Sequence, residues 1–313
     1  MERCDFLPVS AEEMHERGWW WYDALVVGGD AYVDHPSFGT AVISRVLEAE
    51  GLRVAVLAQP DWHDAEAFRA MGRPRLGVFI GAGNLDSMVA HYTAAKRRRS
   101  EDFYSPGKRT GCRPDRAAIV YCNRAREAFG PDMPIILGSL EASLRRFAHY
   151  DYWDDSVRRA ILFDAPADLL VYGMGEAATI EIAHRLKKKQ SVRTMTDIPG
   201  TGYITRDPSV CKFDHITLPS FEDVRDDKRL YAEATRTEYA EHDPIRGRAM
   251  IQPCEGRYLI INPPAMPLDT KELDRVAELP YTREWHPMYE PLGGVPAIEE
   301  VRFSVIHNRG CFG

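Results

Sequence analysis

The 313-residue sequence has no apolar run long enough to span a bilayer; its longest, "ALVVGG" and "RYLIIN", are strand-sized, so no membrane partner is expected. The opening stretch "MERCDFLPVSAEEMHERG" is polar and acidic and has no secretory apolar segment. Cysteine is sparse. The six residues, at positions 4, 112, 122, 211, 254 and 311, never stand at the C-x2–4-C spacing of a zinc site and do not suggest a disulfide framework, so a reducing, cytoplasmic setting is expected. Neither a G-x-x-x-x-G-K-S/T loop nor a complete dinucleotide fingerprint occurs, because "GAGNLD" places Asp86 where a third glycine belongs. A net charge of −7 argues against wholesale coating of nucleic acid. Solenoid repeats and low-complexity tracts are also missing.

What is present is ordinary globular material, 44% hydrophobic and 28% charged, in a length that suggests two units. "DALVVGG" suits a strand buried on both faces. "PSFGTAVISRVLEAEG" sets Phe38, Val42, Val46 and Ala49 at helical spacing, from Pro36 or Ser37 to Gly51, and "RVAVLAQP" is a second strand. Strand, helix and strand make a βαβ unit with a right-handed crossover. The alternation continues through the strand "RLGVFIGAGN" and a helix over "LDSMVAHYTAAKRRR" with Leu85, Met88, Tyr92 and Ala95 on one face. "PDRAAIVYCNRAREAFG" reads as helix, because Ile119, Cys122, Ala125 and Phe129 share a stripe that Asp115 can cap and Gly130 ends. "MPIILGS" and "ADLLVYGMGE" are further strands, and "EAATIEIAHRLKKK" is an amphipathic helix. The expected fold is α/β: a doubly wound, flavodoxin-like parallel sheet of about five strands, within a domain at 1–196. Residues 197–300 read as a loop-rich linker and accessory region, with one helix in "SFEDVRDDKRLYAEATRTEYAEH", then a strand at "RYLIIN", a proline turn and a capped helix in "RYLIINPPAMPLDTKELDRVAEL". A last strand, "VRFSVI", belongs to a separate unit at 301–313.

In such a sheet, ligands bind beyond the carboxyl ends of the strands. Three of these exits, "VVGGD", "FIGAGN" and "VYGMGE", make Gly28, Gly29, Gly81, Gly83, Gly173, Gly175 and Glu176 candidate cofactor-binding residues. Tight βα turns without a ligand explain the same glycines equally well. From His91 to Arg126, ten Lys/Arg stand against three acids, which is either a solvated loop or a basic edge for an anionic ligand or RNA. "GSLEASLRRFAHYDYWDDSVRRAI" gathers Glu141, Arg145, Arg146, His149, Tyr150, Asp151, Tyr152 and Trp153, as a ligand edge or as a lid packed by its own side chains. "GWWWYDA", from Trp19 to Tyr22, reads as packing. His35 stands in "DHPSFG", which departs from the Asp-x-His-x-x-Gly loop of cobalamin-binding sheets. Asp34 is adjacent to His35, with one residue too many before Gly39, so cobalamin is not expected.

Several long segments together resemble a known family. "DHPSFGTAVISRVLEAEG", "AGNLDSMVAHYTAAKRRRSEDFYSPG", "RPDRAAIVYCNRAREAFG", "GSLEASLRRFAHYDYWDDSVRRAI", "DLLVYGMGE", "INPPAMPL" and "NRGCFG" look like the N-terminal half of YgiQ-type radical SAM proteins. The resemblance implies a cobalamin-domain-like sheet ahead of a partial barrel. It also implies a 4Fe-4S cluster on a Cys-x-x-x-Cys-x-x-Cys loop, with S-adenosylmethionine cleaved reductively to a 5′-deoxyadenosyl radical that attacks a substrate the sequence does not identify. On this reading Cys311 is the first cluster cysteine and "VRFSVI" the first barrel strand, truncated. The other two cysteines would fall beyond residue 313, so this chain alone is expected to hold no stable cluster and to be inactive. The alternatives are a stand-alone flavodoxin-like module for a nucleotide or anion, or an interaction scaffold.

Overall fold

The computed structural model describes residues 5–304. Its strands are β1 (Ala24–Gly28), β2 (Val54–Ala58), β3 (Gly77–Gly81), β4 (Ile135–Leu137), β5 (His149–Asp151), β6 (Ser156–Arg158), β7 (Leu169–Val171), β8 (Thr201–Thr205), β9 (His215–Thr217), β10 (Ala249–Cys254) and β11 (Arg257–Ile261). Among them run α1 (Ala11–Glu16), α2 (Gly39–Ala49), α3 (Glu66–Arg69), α4 (Ser87–His91), α5 (Ala117–Phe129), α6 (Ser139–Leu144), α7 (Glu176–Lys187), α8 (Phe221–Asp226), α9 (Lys228–Ala240) and α10 (Thr270–Ala277). One mixed sheet has the order β2-β1-β3-β4-β7-β8-β11-β10-β9, while β5 and β6 form a separate hairpin.

The first five strands of that order pair in parallel, and their apolar runs are continuous because both faces are covered. Ala24, Val26, Phe79, Ile136, Leu169 and Val171 face one core with α2 and α7. Leu25, Val27, Val78, Ile80, Ile135, Leu137 and Leu170 face the other with α5. Each buried Val, Leu, Ile or Phe among them contributes about 1.5–3 kcal/mol. Chain order reverses at β1, which has β2 on one side and β3 on the other; that is the switch point where open α/β sheets place ligands.

Four differences from the sequence reading have physical causes. The region expected to be a linker with one strand, at "RYLIIN", supplies that strand as β11 and three more: β8 joins the free edge of β7 antiparallel, β11 and β10 follow antiparallel, and β9 closes the edge in parallel. An uncovered β7 edge would leave a row of backbone donors and acceptors unpaired. The single helix expected over 220–242 is two, since Asp227 takes an extended conformation (φ −127°) and its side chain accepts from Arg229 N to start α9. α4 stops at His91 because Tyr92 is extended (φ −128°). Asp115 does not cap α5; the start of that helix is held by Ser87 Oγ, which accepts from Ala117 N (3.1 Å), and Glu141, which accepts from Ala118 N (3.1 Å). Residues 301–303 of the expected last strand lie in a turn, and its remainder, with Cys311, lies outside the described residues.

Candidate functional site

The carboxyl ends of β1, β3, β4 and β7 and the N-termini of α2 and α7 enclose a cavity of about 480 Å³. Its floor is the row Val26, Phe79, Ile136 and Val171, and Val42 and Ile43 of α2 form a wall. Of the candidates chosen from sequence, Gly81, Gly83, Gly173, Gly175 and Glu176 line it. Gly28 and Gly29 do not. A Cβ at Gly29 would lie 2.0 Å from the Ala82 carbonyl oxygen, and one at Gly28 would lie 2.7 Å from Thr40 Oγ1. That pair lets β1 approach its neighbours closely, which is the packing reading of those glycines.

Sequence reasoning missed the network that fixes this rim. Asp30 accepts from Asn84 N (2.6 Å) and from Arg113 Nη1 (2.6 Å), while Arg113 Nη2 reaches Asp102 (2.8 Å). Asp102 also accepts from Ser105 Oγ and Tyr104 N. All three charged residues are buried. The network ties the exits of β1 and β3 to the loop that precedes α5. Ser139 was missed as well: it follows β4 with φ +73°, and its Oγ accepts from Ala82 N (3.1 Å). An aspartate directly after "VVGG" was the available signal for Asp30; Ser139 gave none.

Five of the ten Lys/Arg of the basic segment 91–126 are ion-paired, mostly with acids outside it. Lys108, Arg113, Arg116, Arg124 and Arg126 pair with Glu101, Asp30 and Asp102, Asp151 and Asp154, Glu127, and Asp168. Lys96, Arg97, Arg98 and Arg99 are exposed, and Lys96 lies over the Tyr152 ring at 4.8 Å. None of these cations lines the cavity.

The aromatic stretch forms the β5–β6 hairpin and packs mainly against residues 86–116. Glu141 is fully buried and binds Ser87, Arg145 pairs with Asp86, and Asp151 pairs with Arg116. Tyr152 donates to the Ala94 carbonyl, Trp153 packs tilted against Tyr92 with ring centres 5.3 Å apart, and Tyr150 donates to Asp155. Arg146 lies 4.9 Å from the Tyr172 ring and 3.1 Å from His242 Nδ1. Burial pushes the Glu238 carboxyl up to about 7, against the pull of Arg146. A carboxyl that holds its proton more strongly when folded makes stability fall as pH rises from about 4.5 to about 7. Glu238→Gln is expected to remove that fall. Urea midpoints for the two proteins at about pH 5 and about pH 8 check it, and an unchanged slope would refute the assignment.

His35 is fully buried, with Nδ1 accepting from Ser37 N (3.1 Å). Burial and the neighbouring Arg283 charge bring its pKa down to about 4. It faces the C-terminal segment and does not line the cavity. In the "GWWWYDA" segment, Tyr22 is core, Trp21 is flanked by Arg53 and Arg75, and Trp20 is 78% exposed, so packing does not account for Trp20.

Among the described residues, no three His, Cys, Asp or Glu side chains come together as a metal site. Cys122 is buried with its thiol pushed up by burial, and burial pushes Cys254 up to about 12, so neither is a ready thiolate ligand. The described part of the chain therefore does not fit an iron–sulfur cluster. Nor is any helix among these residues long and apolar enough to cross a membrane.

The Radical SAM N-terminal family model matches residues 6–304. The chain belongs to that family. Relatives include the UPF0313 protein CLJ_B0249 of Clostridium botulinum (strain 657 / Type Ba4), 53% identical over 100% of this chain and 49% of the relative. A UPF0313 protein of Clostridium perfringens (strain SM101 / Type A) is 52% identical over 100% of this chain and 47% of the relative. This radical SAM N-terminal chain thus spans about half the length of the curated relatives it matches. A solved structure of the radical S-adenosylmethionine methyltransferase TsrM from Kitasatospora setae, with tryptophan substrate and a SAM analog bound, is similar over 57% of this chain and 28% of its own. The TM-score is 0.38 at 19% identity, too remote to mark a shared site. Family membership implies a 4Fe-4S cluster and S-adenosylmethionine in the full-length proteins.

Proposed function

We propose that this chain is the N-terminal module of a radical SAM enzyme whose full-length form cleaves S-adenosylmethionine reductively and passes the resulting radical to a substrate. The observation that carries the reading is the match over residues 6–304 to the Radical SAM N-terminal model, with relatives about twice as long. Within that enzyme the module contributes the rigid carboxyl edge of the sheet, with its cavity and buried rim. Cys311, in the "GCFG" segment, is the first of three cluster thiolates, and the 313-residue chain alone is expected to hold no stable cluster. Cobalamin is not part of the proposal, since the "DHPSFG" histidine is buried away from the cavity.

Anaerobic treatment with iron and sulfide tests this on two proteins. The 313-residue chain is expected to retain no stoichiometric iron–sulfur absorbance, while a full-length relative forms a cluster and, once reduced, yields 5′-deoxyadenosine from S-adenosylmethionine. A stoichiometric cluster on the shorter chain, or no 5′-deoxyadenosine from a reduced, loaded relative, would overturn it.

A further inference from the structure

We propose that the strand-exit cavity binds an uncharged nitrogen-heteroaromatic ring. This goes beyond the radical SAM reading and does not depend on it, because the site is complete within the described residues.

Two lining glycines carry the argument. Gly81, Gly83, Gly173 and Gly175 are required by the fold: a Cβ would press on Ser139 (3.1 Å), the Asp30 carboxylate (2.3 Å) or Val171 (2.9 Å) at the first, second and fourth, and the third has φ +70°. Gly39 and Gly138 are required by neither cause. Gly138 is extended (φ −143°), and its Cβ would come no closer than 3.6 Å to the Val171 carbonyl oxygen. Gly39 is outside the positive-φ set, opens α2, and its Cβ would meet nothing within 4 Å. Gly138 caps the start of α6 and Gly39 is the first residue of α2, and at both the absence of a side chain leaves the space in front of the backbone open. That space is the cavity.

The chemistry of the lining selects the occupant. Val26, Phe79 and Ile136 are side by side in register on adjacent parallel strands, so the floor is flat and apolar, as a planar ring requires. A volume of about 480 Å³ suits a nucleoside-sized molecule. Ser37, Thr40, Ser139 and Thr179 supply hydroxyls that can donate to ring nitrogens and carbonyls. No lysine, arginine or histidine lines the cavity, and its one ionisable lining residue is the acid Glu176. A phosphate there would meet no cationic side chain and would face a carboxylate.

Calorimetric titration of the 313-residue chain with two matched pairs, adenosine against AMP and riboflavin against FMN, tests the inference. Saturable binding of adenosine or riboflavin is expected, insensitive to salt and weaker for the phosphorylated partner. Gly138→Val and Gly39→Leu should each weaken it on the order of tenfold with the thermal midpoint retained. If Gly138→Val fails to fold, Gly39→Leu, at the exposed rim, carries the test. No saturable binding of either uncharged probe, tighter binding of the phosphorylated partner, or wild-type affinity in the folded variants would overturn it.

Discussion

Arg113→Met is expected to cost about 3–5 kcal/mol of folding stability, because it leaves two carboxylates buried without their countercharge. Arg113 is fully buried, with Asp30 at 2.6 Å and Asp102 at 2.8 Å. The methionine fills much of the volume but neutralises nothing. Asp30 keeps one backbone donor, from Asn84. Water must then reach the carboxylates, and the exits of β1 and β3 must part to admit it. The damage is expected to start at the cavity rim, since Gly83 is packed directly against Asp30. The triple variant Asp30→Asn/Asp102→Asn/Arg113→Met should regain much of the loss, because neutral amides are far cheaper to bury than charges. Urea unfolding of the single and triple variants measures both effects. A loss under about 1 kcal/mol in the single variant would mean that the carboxylates are hydrated or protonated and that the network is not what holds the rim.

The legible part of the molecule was the part governed by local pattern. β1, β3, β4 and β7 announce themselves as short apolar runs because both of their faces are covered. The spacing of Ile119, Cys122, Ala125 and Phe129 decided for helix α5 over the strand that "AAIVYC" suggests; the last three are buried on it and Ile119 is half-buried. The glycine-rich exits located one side of the cavity for the same reason. What stayed hidden depends on partners far apart in the chain. Asp30 and Arg113 are 83 positions apart, and nothing local in either segment names the other. In the antiparallel extension "RYLIIN" was legible as β11, while β10 carries Pro253 near its end, a residue that argues against a strand. Glu141 fitted a ligand edge or a packed lid equally by residue type; its carboxylate is occupied by Ser87 and the first turn of α5. Residue type suggested chemistry here, and only three-dimensional neighbours could show that the group was already satisfied.

The "DHPSFG" loop gives the second large effect, and its role is attachment. Asp34 is fully buried; its carboxylate binds Arg45 (2.5 Å) and accepts from Thr282 N (2.9 Å). Around it Asp34 N donates to Glu284 O, Arg283 N to Asp34 O and His286 N to Tyr32 O, so residues 282–286 lie along 32–34 as a short antiparallel seam. The seam covers His35 and fixes the segment that leads toward residue 304. Asp34→Ala removes the Thr282 tether and leaves the buried Arg45 with Glu48 as its remaining ion-pair partner (2.7 Å). A loss of about 3–5 kcal/mol is expected from breaking a buried pair. Local release should exceed global loosening. Hydrogen exchange at the amides of Arg283 and His286 is expected to accelerate more than that of Leu25 or Phe79 in the parallel strands. Uniform acceleration across all four would show a general loss of stability. An unchanged rate at Arg283 and His286 would show that apolar packing of Trp285 and Tyr289, not the aspartate, holds this segment to the sheet.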